Sequence, residues 1–210
     1  MSSKAWLSTV LDGGKVRCDA CSHFCVLEGG EVGKCGVRTV RDGGLELDVY
    51  GLIAAANIDP IEKKPLYHFL PGSRILSVGT VGCNFSCSFC QNYEISQYPK
   101  EHDGDLKGSY LSPQELVRTA KEQGIPSIAF TYNEPAIYFE YAYDVMKLAK
   151  EEGIKTVFVT SGYESKAALE YSRGLLDGMN IDLKSFSDDF YKNICGARLK
   201  PVLEDRKSVV

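Results

Sequence analysis

No stretch of this chain is both long and apolar. Runs such as GLIAAANI, from Gly51 to Ile58, fall far short of the roughly 20 residues that a membrane-spanning helix needs. The opening MSSKAWLSTVLDGGK has no apolar core of the kind a secretory leader carries. No membrane partner is therefore expected, and a cytoplasmic location is. Excess positive charge is also missing: 24 Lys and Arg stand against 28 Asp and Glu, a formal charge of −4. That balance argues against a broad phosphate-binding surface, so nucleic acid is not an expected partner. What is present is ordinary for a folded protein. With 210 residues, 44% hydrophobic and 25% charged, the chain can bury a sizeable core as one large domain or two small ones.

The unusual component is cysteine. Seven of the eight cysteines fall into two tight clusters, which in a reducing compartment points to metal rather than to disulfides. The second cluster, GCNFSCSFCQN, holds Cys83, Cys87 and Cys90 as C-x3-C-x2-C and lacks a fourth cysteine. Electron-transfer clusters of four irons are ordinarily held by four thiolates, so three ligands leave one iron open to something that is not protein. The alternative is a partial zinc site or three structural thiols, although zinc sites more often pair two C-x2-C knuckles. The first cluster places Cys18, Cys21 and Cys25 as C-x2-C-x3-C, with Cys35 further on in a glycine-rich segment. Four thiolates there can close a zinc shell or hold an iron-sulfur centre. His23 lies among them as a neighbouring rather than a ligating residue. Cys195 stands apart from both clusters and reads as a buried or half-buried free thiol.

From about residue 73 the pattern becomes regular. QGIPSIAFTYNEP and EEGIKTVFVTSGY share a Gly-Ile start, a β-branched and aromatic run, and a polar ending. Each reads as a buried strand entered from a helix C-cap glycine, here Gly124 and Gly153. Ser112-Pro113-Gln114-Glu115 gives an N-cap, an N1 proline and a capping-box glutamate, which predicts a helix over about 113–123. A second helix over about 135–152 places Tyr138, Tyr141, Ala142, Val145, Leu148 and Ala149 on one face, as core. Adding RILSVGTVG and GMNIDLKSF gives four strand-helix units and hence a parallel α/β sheet or barrel. The organisation expected is a Cys-rich metal-binding segment (1–50), a connector (51–72) and a partial barrel (73–204).

Ligands of parallel α/β folds sit at the carboxyl ends of the strands. Here those ends are the cysteine loop, Thr131 to Pro135, Thr160-Ser161-Gly162, and Asp182-Leu183-Lys184. Together they offer acceptors for an ammonium, donors for a carboxylate and partners for a ribose. A plain ion pair at a barrel rim is the alternative for Asp182 and Lys184.

The cysteine loop, with Phe89 directly before its last cysteine, resembles that of the radical S-adenosylmethionine (radical-SAM) enzymes. The strand ends resemble those of the activating enzymes for glycyl-radical proteins. With the opening segment and the connector ending KKPLYHFLPGS, the likeness narrows to the radical-SAM member of the AmmeMemoRadiSam system, a group related to pyruvate formate-lyase activating enzymes. It implies a 4Fe-4S cluster on Cys83, Cys87 and Cys90, with S-adenosylmethionine (SAM) completing the open iron. The implied SAM contacts are Phe89, Tyr132, Asn133, Glu134, Thr160, Ser161, Asp182 and Lys184, with Glu134 accepting from the methionine ammonium. Tyr132 and Asn133 stand where many members carry two glycines. The implied reaction is reductive cleavage of SAM to a 5′-deoxyadenosyl radical that abstracts hydrogen from a substrate the likeness does not name, with no side chain required as acid or base. Implied partners are an electron donor such as flavodoxin or ferredoxin, and proteins of the Memo and AMMECR families. The rival reading is a non-catalytic iron-sulfur or zinc protein in redox or electron transfer.

Barrels of this family usually have six strand-helix units, so a chain with four is expected to be a truncated and poorly active piece. Its last six residues, Asp205 to Val210, show no helix or strand logic and match the translation of a common sequencing-adapter string. They are expected to be an artefact.

Overall fold

A computed structural model describes residues 2–208. Its central feature is a five-stranded sheet laid down in chain order: β1 (Ala55–Pro60), β2 (Arg74–Gly79), β3 (Ser127–Phe130), β4 (Lys155–Thr160) and β5 (Gly178–Ile181). Strands β2 to β5 are parallel, with Ala129 opposite both Ser77 and Val157. They coincide with the four expected strands, and the sheet matches the expected α/β class.

The helices between them arise from local chemistry. Helix α1 (Pro113–Glu122) begins at a complete capping box, with Ser112 accepting from the Glu115 amide and Glu115 accepting from the Ser112 amide. It ends at Gly124, whose φ of +61° lets the Ile125 amide turn back to the Ala120 carbonyl at 2.9 Å. Helix α2 (Phe139–Glu151) ends in the same way. Gly153 has φ +71°, and the Ile154 amide bonds the Ala149 carbonyl at 2.8 Å. A left-handed residue at this position satisfies carbonyls that a helix end otherwise leaves bare. Tyr138, Tyr141, Ala142, Val145 and Ala149 are buried as the helical spacing requires, and Leu148 packs partly buried against the same core. Helices α3 (Lys166–Ser172) and α4 (Leu199–Ser208) follow β4 and β5.

Two regions differ from expectation. The stretch read as a connector supplies β1, which pairs antiparallel with β2 from Ala55 opposite Gly79 to Pro60 opposite Arg74. It hides in sequence because AANIDP combines poor strand formers with a proline, which an edge strand tolerates. Residues 205–208, read as lacking helical logic, continue α4, where the Asp205 carboxylate accepts from the Glu164 amide at 3.1 Å. Val209 and Val210 lie outside the described residues.

The opening segment forms two three-stranded antiparallel sheets, one from Ser8–Val10, Val16–Cys18 and Val26–Leu27, the other from Ser3–Lys4, Arg38–Arg41 and Gly44–Leu47. It shares its core with the helices over the five-stranded sheet, since Val16, Val40 and Leu45 belong to the same buried cluster as Leu116, Tyr138 and Val145. The two parts are also pinned by charge. Arg38 donates to both Glu140 carboxylate oxygens, and its Nε donates to the Ile137 carbonyl at 2.8 Å. Both side chains are 1% exposed, so neither charge has water to fall back on if its partner is lost.

Candidate functional site: a three-cysteine cavity

The carboxyl ends of β2 to β5 open into one cavity of about 800 Å³. Cys83, Cys87 and Cys90 all line it, together with Phe89, Thr131, Tyr132, Asn133, Thr160, Ser161, Asp182 and Lys184. The structure therefore brings together every expected residue of this site except Glu134. That carboxylate lies fully buried behind the wall, where it accepts from the Thr160 hydroxyl at 2.5 Å and the Ser161 amide at 2.9 Å. Burial raises its pKa from the ordinary carboxylate value, against the pull of these donors. Glu134 thus positions two cavity residues.

The cysteine loop is fixed from several sides. Cys83 donates its amide to the Cys35 carbonyl at 3.3 Å, and Gly82 donates to Ile95 at 2.9 Å. The Lys100 ammonium donates to the Cys83 carbonyl at 2.8 Å and the Phe85 carbonyl at 3.1 Å. Asn133 spans to the loop, donating to the Thr80 hydroxyl at 3.0 Å and the Gly82 carbonyl at 2.9 Å. Gly79 has to be small, because a Cβ there would stand 2.5 Å from the Thr131 carbonyl oxygen.

Tyr132 stands in a backbone conformation that favours glycine. Its φ is +71°, a left-handed conformation costing about 1–2 kcal/mol for a residue with a Cβ. The side chain is tied down in return: its hydroxyl accepts from Asn57 at 3.0 Å, and the Lys64 ammonium lies 5.0 Å from its ring. Asn57 and Lys64 line the same cavity from the β1 side, a contribution that sequence reading missed with β1 itself. Lys100 was missed too. It belongs to no motif, and only the folded loop shows its role. On the opposite wall Lys184 donates to Asp182 at 2.8 Å and Asn180 donates to Asp182 at 2.9 Å. Burial opposes the Lys184 charge, but the Asp182 partner more than offsets it and holds the ammonium pKa above its usual value.

The donor set suits an iron-sulfur cluster with an organic co-ligand. Burial pushes the Cys87 thiol up to about 12, with Cys195 adding to the shift, and pushes Cys83 higher still with help from Glu134. Such thiols stay protonated in neutral water and ionise when metal replaces the proton. Asn133 lines the cavity, and its Oδ1 is buried without a hydrogen-bond partner, an acceptor left over in that wall. Among the described residues no three Cys, His, Asp or Glu side chains meet tightly enough to hold a single metal ion. A four-iron cluster asks for something else, since its thiolates are distributed over its irons and need only line a common space.

Cys18, Cys21, Cys25 and Cys35 surround a second space of about 10 Å³, room for about one water-sized sphere. Burial raises the pKa of Cys18 and Cys21, and takes Cys35 to about 11. His23 flanks this space. Its Nε2 donates to the Asn84 carbonyl at 2.9 Å, and burial, with Lys34, lowers its pKa to about 4. No metal site is formed here among the described residues.

Residues 77–204 match the description of the radical SAM superfamily, more than half of the chain, and the chain belongs to that superfamily. It is 42% identical over 197 residues to an uncharacterized protein of Methanocaldococcus jannaschii, covering 94% of this chain and 57% of the relative. It is 29% identical to the pyruvate formate-lyase-activating enzyme of Clostridium pasteurianum, covering 60% of this chain and 52% of that one. It is 26% identical to a GTP 3′,8-cyclase of Lactiplantibacillus plantarum, covering 58% and 37%. The chain spans about half the length of the first two relatives. No helix among the described residues is long and apolar enough to cross a membrane.

Proposed function

We propose that Cys83, Cys87 and Cys90 hold a 4Fe-4S cluster whose open iron takes SAM in the cavity above the sheet. When bound, cluster and SAM supply reductive cleavage of the sulfonium and a 5′-deoxyadenosyl radical that abstracts hydrogen. The chain's own part is to hold and orient. Asn133 Oδ1 offers an acceptor to the methionine ammonium, Thr160 and Ser161 face the cofactor with Glu134 bracing them from behind, and Asp182 and Lys184 serve its ribose and carboxylate. Phe89 and Tyr132 wall the cavity and limit water around a reactive species. The observation that carries this reading is that the three cysteines share one cavity with three other strand ends. A purely structural or electron-transfer role leaves that cavity without a use.

The finer reading is a glycyl-radical-activating-like enzyme of the AmmeMemoRadiSam group, fed electrons by a flavodoxin or ferredoxin, working beside Memo-family and AMMECR-family proteins, with a protein among its candidate substrates. Its amino-terminal cysteines, which do not meet around one point in this structure, close around a second metal, zinc or an iron-sulfur centre, when it binds. The test is anaerobic reconstitution followed by iron and sulfide assay. The wild-type chain should take up four irons at the barrel loop, and alanine at Cys83, Cys87 or Cys90 should abolish retention. Full iron content and unchanged charge-transfer absorption in all three variants would contradict the assignment.

A further inference from the structure

Residues Tyr191–Cys195 form a π-helical turn, a form that recurs at functional sites because it displaces side chains from ordinary helical spacing. The turn is strapped to the loop on both sides of Cys87. The Ser86 amide donates to the Cys195 carbonyl at 2.9 Å, and the Ser88 amide donates to the Ile194 carbonyl at 3.3 Å. Gly196 closes the turn with φ +67°. A Cβ there would stand 2.3 Å from Ser86 Oγ, so that hydroxyl would have to swing aside, and the positive φ itself favours glycine. The strap packs the Cys195 thiol, 0% exposed, into the same buried cluster as Cys83 and Cys87. Cys195 does not line the cavity that Cys83, Cys87 and Cys90 share. It sits behind Cys87, out of position to be a fourth ligand.

Resting on the cluster assignment above, we propose that Cys195 is a positioning residue whose S–H donates a hydrogen bond to the Cys87 sulfur once that sulfur is a thiolate, and so raises the reduction potential of the cluster. Reduction adds negative charge to the cluster, and a donor on a ligating sulfur stabilises the reduced form more than the oxidised one. The π turn keeps the donor in place, since both loop amides flanking Cys87 are committed to it.

The experiment compares wild type, Cys195→Ala and Cys195→Ser after anaerobic reconstitution, reading iron content and the midpoint potential by redox titration followed by electron paramagnetic resonance. All three should load iron equally. Cys195→Ala should disfavour reduction about tenfold, which for a one-electron couple is a lowering of about 59 mV, and Cys195→Ser, which keeps a donor, should restore the wild-type value. Gly196→Ala leaves every thiol in place but pushes the strap from Ser86, and should lower the potential in the same direction; it keeps the test open if Cys195→Ala does not fold. A Cys195→Ala cluster with the wild-type potential overturns the proposal. So does loss of iron from that variant to the level of Cys87→Ala, which would make Cys195 a ligand. A wild-type chain that takes up no cluster contradicts the functional reading itself, an outcome distinct from a loaded cluster of unaltered potential.

Discussion

The two cysteine sites use the same side chain in opposite surroundings. Around Cys18, Cys21, Cys25 and Cys35 the protein closes to about 10 Å³, whereas around Cys83, Cys87 and Cys90 it opens to about 800 Å³ lined by polar strand ends. Structural metal sites are closed shells, and catalytic ones keep a position free. The contrast separates a closed space from one open enough to admit a cofactor. They are neighbours nonetheless: the Cys35 carbonyl accepts from the Cys83 amide, and His23 bonds the Asn84 carbonyl. The closed site abuts the backbone of the open one.

The sharpest way to break this comparison is to exchange the lesions. Cys87→Ala should remove essentially all barrel iron and SAM binding, while Cys35→Ala should leave both and lower stability by about 1–3 kcal/mol. Equal loss of SAM binding in the two variants would erase the distinction. Next in size is the joint between the two regions. Glu140→Gln leaves the buried Arg38 guanidinium without its counter-charge and should destabilise the whole fold by about 3–5 kcal/mol, read by denaturant unfolding. A change below about 1 kcal/mol would show the joint to be dispensable.

Much of the parallel sheet and its helices could be read beforehand because the signals are local. The capping box at Ser112, the glycines at Gly124 and Gly153 and the apolar runs between them each act within a few residues. The joint could not be read, since Arg38 and Glu140 lie 102 positions apart. Nor could the strap from Cys195 to Ser86, which depends on a π turn. Most of the cavity wall was legible from where apolar runs turn polar. What sequence could not show was which side chain of Thr131 to Pro135 faces inward. Thr131, Tyr132 and Asn133 do, while Glu134 turns behind Thr160 because the Ser161 amide and the Thr160 hydroxyl offer it donors there.

That difference in placement gives a smaller test. Asp182→Asn removes a charge that faces the cavity, and Glu134→Gln one that braces it from behind. A charge-assisted contact is worth about 1.5–3 kcal/mol, so Asp182→Asn should weaken SAM binding roughly tenfold to a hundredfold with the cluster intact, and Glu134→Gln by less. Calorimetry under anaerobic conditions decides, and unchanged binding by Asp182→Asn would leave Asp182 and Lys184 as a plain rim ion pair.

The smallest effect concerns the closed site alone. His23 has a pKa lowered to about 4 against an ordinary value near 6.5, because burial favours the neutral ring. Its contribution to stability is present above about pH 6.5 and is lost as pH falls through about 4. Thermal melts should show wild type losing more stability than His23→Gln between those limits. Parallel pH profiles would contradict the buried neutral histidine.

The central claim, that the open site leaves an iron free for SAM, is tested most directly by the electron paramagnetic resonance spectrum of the reduced, reconstituted chain before and after SAM is added. The account predicts a four-iron signal that shifts when SAM binds in wild type and in Cys35→Ala. A reduced cluster whose spectrum ignores SAM, or a chain that takes up no cluster at all, would contradict it.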